Sequence, residues 1–108
     1  MVEYTISLDS IFGSLADPTR RDIISRLSIG QLNVSEIAAP YDMSLAAVSK
    51  HLKILEQAKL IVKRRKGRQQ MVTLEPRTMM QVAQYIEQYE QLWQERLDRL
   101  EAFLNEEN

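Results

Sequence analysis

The sequence predicts a mainly helical fold with one β-hairpin, and two patterns support this. Apolar residues recur at helical spacing through most of the 108-residue chain. One stretch, "KLIVKRRKGRQQMVTLE", instead places β-branched and apolar residues on both sides of a basic centre, as two strands joined by a turn do. The length suits one domain, and residues 1–108 contain no repeat, low-complexity segment or Gly/Ser/Pro linker that would divide it.

Two short amphipathic helices are predicted near the start of the chain. The apolar residues of the first recur at i, i+3, i+4 and i+7: Leu8, Ile11, Phe12 and Leu15. This helix stops at "ADPT", where Asp17 can cap the next helix and Pro18 can take its first position, since a missing N–H costs nothing there. The second helix runs up to Gly30, with Ile23, Ile24 and Leu27 along one face.

A helix-turn-helix is predicted between Ser35 and Ala58. A short helix starts at Ser35 and ends by Pro40, and "PYDMS" forms the turn. Ser44 is the expected N-cap of the next helix. Three apolar residues then recur at i, i+4 and i+7 and should face inward: Val48, Leu52 and Leu55.

The hairpin follows, with its tip predicted near Lys66 and Gly67. Pro76 ends it, and a last helix is predicted over residues 78–104. The predicted order is four helices, which contain a tight helix-turn-helix, followed by a hairpin and a long helix. This order is typical of a winged helix-turn-helix. Residues 1–108 are therefore predicted to form a single domain of this kind.

The last helix is too long for its own domain. Its predicted length is about 40 Å, whereas a compact domain of this size has a diameter of roughly 35 Å. Its apolar residues form nearly a heptad stripe, with Arg96 at one seam position. We expect two copies to pack across a two-fold axis through the first and last helices; the alternative is that the helix wraps its own domain. The expected dimer contacts are Leu8, Phe12, Ile86, Tyr89, Trp93, Leu97 and Leu100.

Charge is distributed unevenly, although the net charge is only −1. Between Lys50 and Arg68 there are eight Lys or Arg and one acid, Glu56, whereas the part from Glu75 to Asn108 has eight acids and three bases. This asymmetry indicates a local anion-binding face. A solvated basic helix followed by a charged turn is the alternative explanation.

Double-stranded DNA is the partner that this geometry and charge predict. The N-terminal end of the second helix of a helix-turn-helix enters the major groove, and a basic hairpin reaches the flanking backbone or minor groove. The expected contacts of the helix are Ser44, Leu45, Ala46, Ser49, Lys50 and Lys53. Those of the hairpin are Lys63, Arg64, Lys66 and Arg68. The alternative is a winged-helix protein-interaction module without DNA binding, in which the apolar stripe docks a foreign helix.

Catalysis, metal binding and cofactors are not predicted. The chain has no cysteine, one histidine and three separated glycines, so thiolate sites, a His/His ligand pair and a phosphate-binding glycine loop are all missing. His51 borders the buried face of its helix and is expected to be packed or bonded to backbone. With no apolar run of membrane-spanning length and no secretion signal, the cytoplasm is the expected location.

The segments "LADPTRRDIISRL" and "VSEIAAPYDMSLAAVSKHLKILEQAKLIVKRRKGRQQMVTL" resemble the ArsR/SmtB family of winged-helix repressors. The resemblance covers Ile11 to Leu104. It implies a homodimer that represses transcription from an operator with imperfect two-fold symmetry. The Cys and His ligands of the family's metal sensors are missing, and "DPTRR" and "LWQERLDRLEAFL" resemble its metal-independent branch, whose effector is often unknown. In "DPTRR", Arg20 and Arg21 are expected to contact phosphate or to play a structural part.

Overall fold

The computed structural model describes residues 6–106, which form five helices and three strands. The helices are α1 (Leu8–Ser14), α2 (Pro18–Leu27), α3 (Val34–Ala38), α4 (Leu45–Gln57) and α5 (Pro76–Glu106). The strands are β1 (Leu32–Asn33), β2 (Ile61–Lys66) and β3 (Gln69–Leu74). The predicted order of helices and hairpin is confirmed: α3 and α4 form the helix-turn-helix, and β2 and β3 form the wing.

The sheet is antiparallel in the order β1-β3-β2, and β1 was not predicted. It pairs Leu32 with Val72, and its two residues are too few to show a strand periodicity. At the tip of the wing, Lys66 pairs with Gln69, which leaves Gly67 and Arg68 as the turn. Gly67 has φ +63°, the conformation that the first residue of a type II′ hairpin turn requires.

The core lies where α4 crosses α1, α2 and the sheet. The three residues predicted to face inward from α4, Val48, Leu52 and Leu55, are at most 1% exposed. Other buried apolar residues come from every neighbouring element: Ile11, Ile23, Leu27, Ile37, Leu60, Ile61 and Val72. Helix α4 is therefore held by contacts with several elements of the domain.

Polar side chains set where the first helices begin. Asp17 caps α2, since its Oδ1 accepts the N–H of Thr19 at 2.8 Å and that of Arg20 at 3.1 Å, and Pro18 is the first helical residue, as predicted. Asn33 and Glu36 form a capping box, each accepting the other's backbone N–H. This box starts α3 one residue before the predicted Ser35. Helix α2 ends at Leu27, short of Gly30.

Helix α4 ends in a Schellman motif built on a lysine. Lys59 has φ +64°, its N–H donates to Glu56 O at 2.9 Å, and the N–H of Leu60 donates to Leu55 O at 3.0 Å. Leu55 and Leu60 are both buried, which supplies the apolar contact of the motif. The motif turns the chain from α4 directly into β2.

Helix α5 is longer than the predicted 78–104 and leaves its own domain. Its 31 residues span about 46 Å, and all of residues 86–106 are exposed. The molecule measures 66 × 43 × 22 Å with a radius of gyration of 18.6 Å, against about 13 Å for a compact domain of this size. The alternative that α5 wraps its own domain is therefore wrong.

The first part of α5 is joined to α1 by aromatic rings. The centroid of Tyr85 lies 6.1 Å from that of Phe12 and 5.2 Å from that of Tyr89, within the range of favourable ring contacts. Met79 and Val82 pack against the core. Between residues 6 and 106, no helix is both long enough and apolar enough to cross a membrane.

Candidate nucleic-acid interface

The six residues predicted on α4 share one exposed surface, which we call the recognition face. Its members are Ser44, Leu45, Ala46, Ser49, Lys50 and Lys53, and each is exposed. Ala46, Ser49, Lys50 and Lys53 lie on the side of α4 away from the buried Val48 and Leu52. Ser44 and Leu45 are exposed because they lie at the N-terminal end of the helix. Ser44 is also the N-cap of α4, because its Oγ accepts the N–H of Ala47 at 3.1 Å. Its hydroxyl can still donate a hydrogen bond to a ligand. The face presents hydroxyls, ammonium groups and small apolar groups together.

The wing carries four exposed cations, three of which were predicted. Arg64, Lys66 and Arg68 are exposed as expected. Arg65, which was overlooked, is also exposed. Because strand side chains alternate between faces, Arg65 shares a face of β2 with Lys63 and not with its neighbours Arg64 and Lys66. Applying the two-residue period of a strand to β2 would have placed Arg65 with the predicted Lys63.

Lys63 differs from the other predicted wing residues. Its side chain is only 17% exposed, and its Nζ lies 3.5 Å from Oε1 of Glu56 on α4. The two side chains form an ion pair. Lys63 therefore joins the wing to α4, whereas the free cations lie farther along the hairpin.

The single histidine is bonded to an arginine rather than to backbone. The Nδ1 of His51 lies 3.2 Å from Nη1 of Arg20, whose Nε donates to Ser14 O at 2.5 Å. Since arginine has only donors, Nδ1 accepts and the ring proton is on Nε2. Arg21 donates to Leu15 O at 2.8 Å. Both arginines thus have the structural contacts that were one of the two expectations for "DPTRR".

Asp17 stands beside this arginine and histidine. Donation from the N–H of Arg20 is the chief cause that lowers the pKa of Asp17 below its ordinary 3.8, and the positive charge of Arg20 acts in the same direction. The carboxylate is thus ionised at neutral pH and is engaged by the first turn of α2.

The helix-turn-helix is braced against α2 by a second arginine. Nη1 and Nη2 of Arg26 donate to Ile37 O and Glu36 O, each at 2.8 Å, so both bonds hold α3. The guanidinium also lies 5.3 Å from the ring centroid of Tyr41, which donates to Asp22. Burial, followed by that donation to Asp22, raises the pKa of Tyr41 above 10.0. These contacts set the position of α3 and of the turn before α4.

The predicted dimer residues form an exposed stripe along α5. Ile86, Tyr89, Trp93, Leu97 and Leu100 are each about half exposed. Phe12 on α1 is 42% exposed, and Leu8 is partly covered. Leu92, Phe103 and Leu104 extend the exposed apolar surface beyond the predicted set.

Within residues 6–106, no three His, Cys, Asp or Glu side chains come together in a way that could hold a metal ion.

A basic wing placed beside an exposed second helix defines the class of winged helix-turn-helix DNA-binding proteins. A helix-turn-helix domain family model matches residues 15–64. The chain is also similar to the crystal structure of an ArsR family transcriptional regulator, with 38% identity and a TM-score of 0.73, over 81% of this chain and 96% of that one. The chain belongs to the ArsR family of transcriptional regulators.

Two curated relatives are also described as transcriptional regulators or repressors. The HTH-type transcriptional regulator Rv2034 of Mycobacterium tuberculosis is 43% identical over 70 residues, which are 65% of this chain and 65% of that protein. The transcriptional repressor SdpR of Bacillus subtilis is 38% identical over 60 residues, 56% of this chain and 67% of that protein. The predictions of family, fold class and DNA-binding transcriptional regulation are confirmed.

Proposed function

We propose that the protein is a homodimeric repressor that binds an inverted-repeat operator and has no catalytic role. The observation that carries this proposal is the recognition face, exposed beside the free cations of the wing, in a chain of the ArsR family. The hydroxyl of Ser49 can hydrogen-bond base edges, and Leu45 and Ala46 can contact thymine methyl groups. Arg64, Lys66 and Arg68 supply attraction to the backbone phosphates.

The exposed stripe of α5 supports the second copy. Trp93 is 55% exposed, and the apolar residues around it have no cover from their own domain. An apolar surface of this extent on a soluble domain marks an interaction site. A two-fold pair of α5 helices, with α1 beside them, covers it and gives two recognition helices. Such a dimer reads two half-sites about 34 Å apart, one turn of DNA.

Salt dependence of binding to DNA tests the core of the proposal. A dimer that neutralises four to six phosphates should lose affinity with salt, with a log–log slope of about −4 to −5. Titrating a fluorescent duplex from the region upstream of the protein's own gene at several KCl concentrations measures this slope. A slope near zero contradicts DNA binding.

Two classes of substitution test the division of labour. Ser49→Ala should reduce the preference for the operator over a mixed-sequence duplex, whereas Arg64→Ala and Arg68→Ala should weaken binding to both duplexes alike. Arg99→Ala, which removes an exposed charge from α5, is the matched control and should change neither. Equal effects of Ser49→Ala on both duplexes would contradict its assignment to base contacts.

The alternative function, a protein-interaction module, also uses the exposed stripe of α5. Sedimentation of the purified protein separates the two. A stable dimer without any partner supports the repressor, and a monomer that fails to bind DNA supports the module.

A further inference from the structure

A basic cleft lies between the first turn of α2 and the middle of α4. It is lined by Arg20, Ala47, Lys50, His51 and Ile54. The four residues from α4 are spaced i, i+3, i+4 and i+7, so they form one continuous edge of the helix. Arg20 closes the cleft from α2. We call this site the α2–α4 cleft.

The cleft flanks the recognition face on the side away from the wing. An α-helix turns by about 100° per residue, so Ser49 and Lys53 project away from the buried Val48. Glu56 lies at one edge of that exposed face, where it meets Lys63 of the wing. Lys50 and His51 lie at the other edge, facing α2. The recognition face thus has cationic groups on both sides.

The polar groups of the cleft are donors, and the acid beside them is Asp17. With Nδ1 of His51 accepting from Arg20, its Nε2–H is left as a donor. Lys50 is exposed, and among residues 6–106 no salt bridge is found for its ammonium or for the guanidinium of Arg20. The nearby Asp17 is engaged with the backbone of α2. Ala47 leaves room between the donors, and Ile54 adds an apolar wall that strengthens their interaction with an anion.

We infer that Arg20, Lys50 and His51 bind one DNA backbone phosphate per protomer. The major groove is about 12 Å wide and is bounded by a row of phosphates on each side. A helix seated in it needs contacts to both rows if its rotation is to be fixed. The wing supplies one set, and the α2–α4 cleft supplies the other. The inference rests on the proposed DNA binding and adds α2 to the interface.

The bond between Arg20 and His51 gives the cleft its geometry. Arg20 is held at its Nε by Ser14 O at the end of α1 and at its Nη1 by His51. Its guanidinium is therefore oriented before DNA arrives, which reduces the entropy lost on binding. A phosphate contact of this kind fixes register without reading sequence.

The test uses a mixed-sequence 30-base-pair duplex, because phosphate contacts do not depend on an operator. His51→Asn keeps an acceptor near the position of Nδ1 but loses the donor at Nε2, and we expect the dimer to bind the duplex about 10-fold or more weakly. His51→Gln keeps a donor that reaches the position of Nε2 and should lose less affinity than His51→Asn. Thermal unfolding of each variant shows whether the fold is intact.

Lys50→Gln gives a second measurement at an exposed position. Loss of one of the two charged side chains at that phosphate in each protomer should make the salt slope of the dimer less negative, by up to about 2. Arg99→Gln, remote from the cleft, should leave the slope unchanged. Wild-type affinity and slope for both His51→Asn and Lys50→Gln would overturn the phosphate site. DNA binding itself fails only if the wild-type slope is near zero, so the two failures are distinguishable.

Discussion

Asp17 combines two interactions at the start of α2. Its carboxylate accepts two backbone N–H groups and lies beside Arg20, and its pKa is lowered for these reasons. Both interactions belong to the folded state, so the residue stabilises the protein mainly as an anion. A single position therefore affects the helix start and the electrostatics of the α2–α4 cleft.

Replacing Asp17 should separate these two effects. Asp17→Ala removes the cap and should lower the melting temperature at pH 7, whereas Asp17→Asn keeps a capping oxygen and should lower it less. Because the folded pKa lies below the unfolded value of about 3.8, the contribution of the charge is complete above that value and is lost as the pH falls through the folded pKa.

The measurement is thermal unfolding of the three proteins between pH 7 and pH 3. The wild type should lose its advantage over Asp17→Asn as acid is added. A constant difference between these two proteins across that range would contradict the role of the charge.

The residue scale is also where sequence patterns were least informative. The exposed residues of α4 followed from the helical period alone. The partner of His51 did not, because Arg20 lies 31 residues away and meets it only when α2 packs against α4. The same applies to Lys63, whose basic side chain resembles its neighbours in sequence until Glu56 is placed beside it. Periodicity gives the direction of a side chain, whereas its partners come from packing.

At the scale of elements, the helices were predicted well because each has an amphipathic face and a polar cap. Strand β1 was missed because it has only two residues and exists through pairing with β3. Helix α3 began earlier than predicted because the capping residue is Asn33, in a box with Glu36. The extra length of α5 could not be predicted from apolar spacing, since the residues that extend it lie outside the apolar stripe: Pro76 and Arg77 at the start, Asn105 and Glu106 at the end.

The end of α4 offers a test of backbone strain. A left-handed conformation costs an L-residue roughly 1–2 kcal/mol. Glycine avoids this cost, but part of the gain in stability is cancelled because glycine makes the unfolded chain more flexible. We expect Lys59→Gly to be about 0.5–1 kcal/mol more stable than Lys59→Ala. Comparing these two variants removes any contribution of the lysine side chain.

Urea unfolding at one fixed protein concentration is the appropriate measurement, with the slope on denaturant checked for constancy. If the alanine variant is as stable as the glycine variant, the positive φ of Lys59 stores no strain. The DNA affinity of both variants should match, since Lys59 lies outside the recognition face.

At the scale of the whole molecule, the stripe on α5 predicts how the proposed dimer can be broken. Leu97→Glu places a carboxylate on that stripe in both copies, and burying one without a partner costs at least about 1–3 kcal/mol. We expect the dissociation constant of the dimer to rise by at least about 30-fold, with a parallel loss of affinity for DNA.

Gln91→Glu is the matched control, because it adds the same charge on the other side of α5. Analytical ultracentrifugation over a range of concentrations measures both variants. Equal dissociation constants for the two would show that the stripe is not the dimer surface.

Because the end of α5 extends beyond its own domain, the shape of the protein should depend on the protein concentration. Most helical stability in proteins comes from the packing of an amphipathic face, and residues 86–106 are exposed in the single chain. This part of α5 should therefore lose helix content as the protein is diluted and regain it on association. In the proposed dimer, the concentration of dimer rises with the square of that of the free protomer, and we expect helicity and DNA binding to rise with it. If the proposed dimer is the form that binds DNA, the copy number of the protein sets both its shape and its activity.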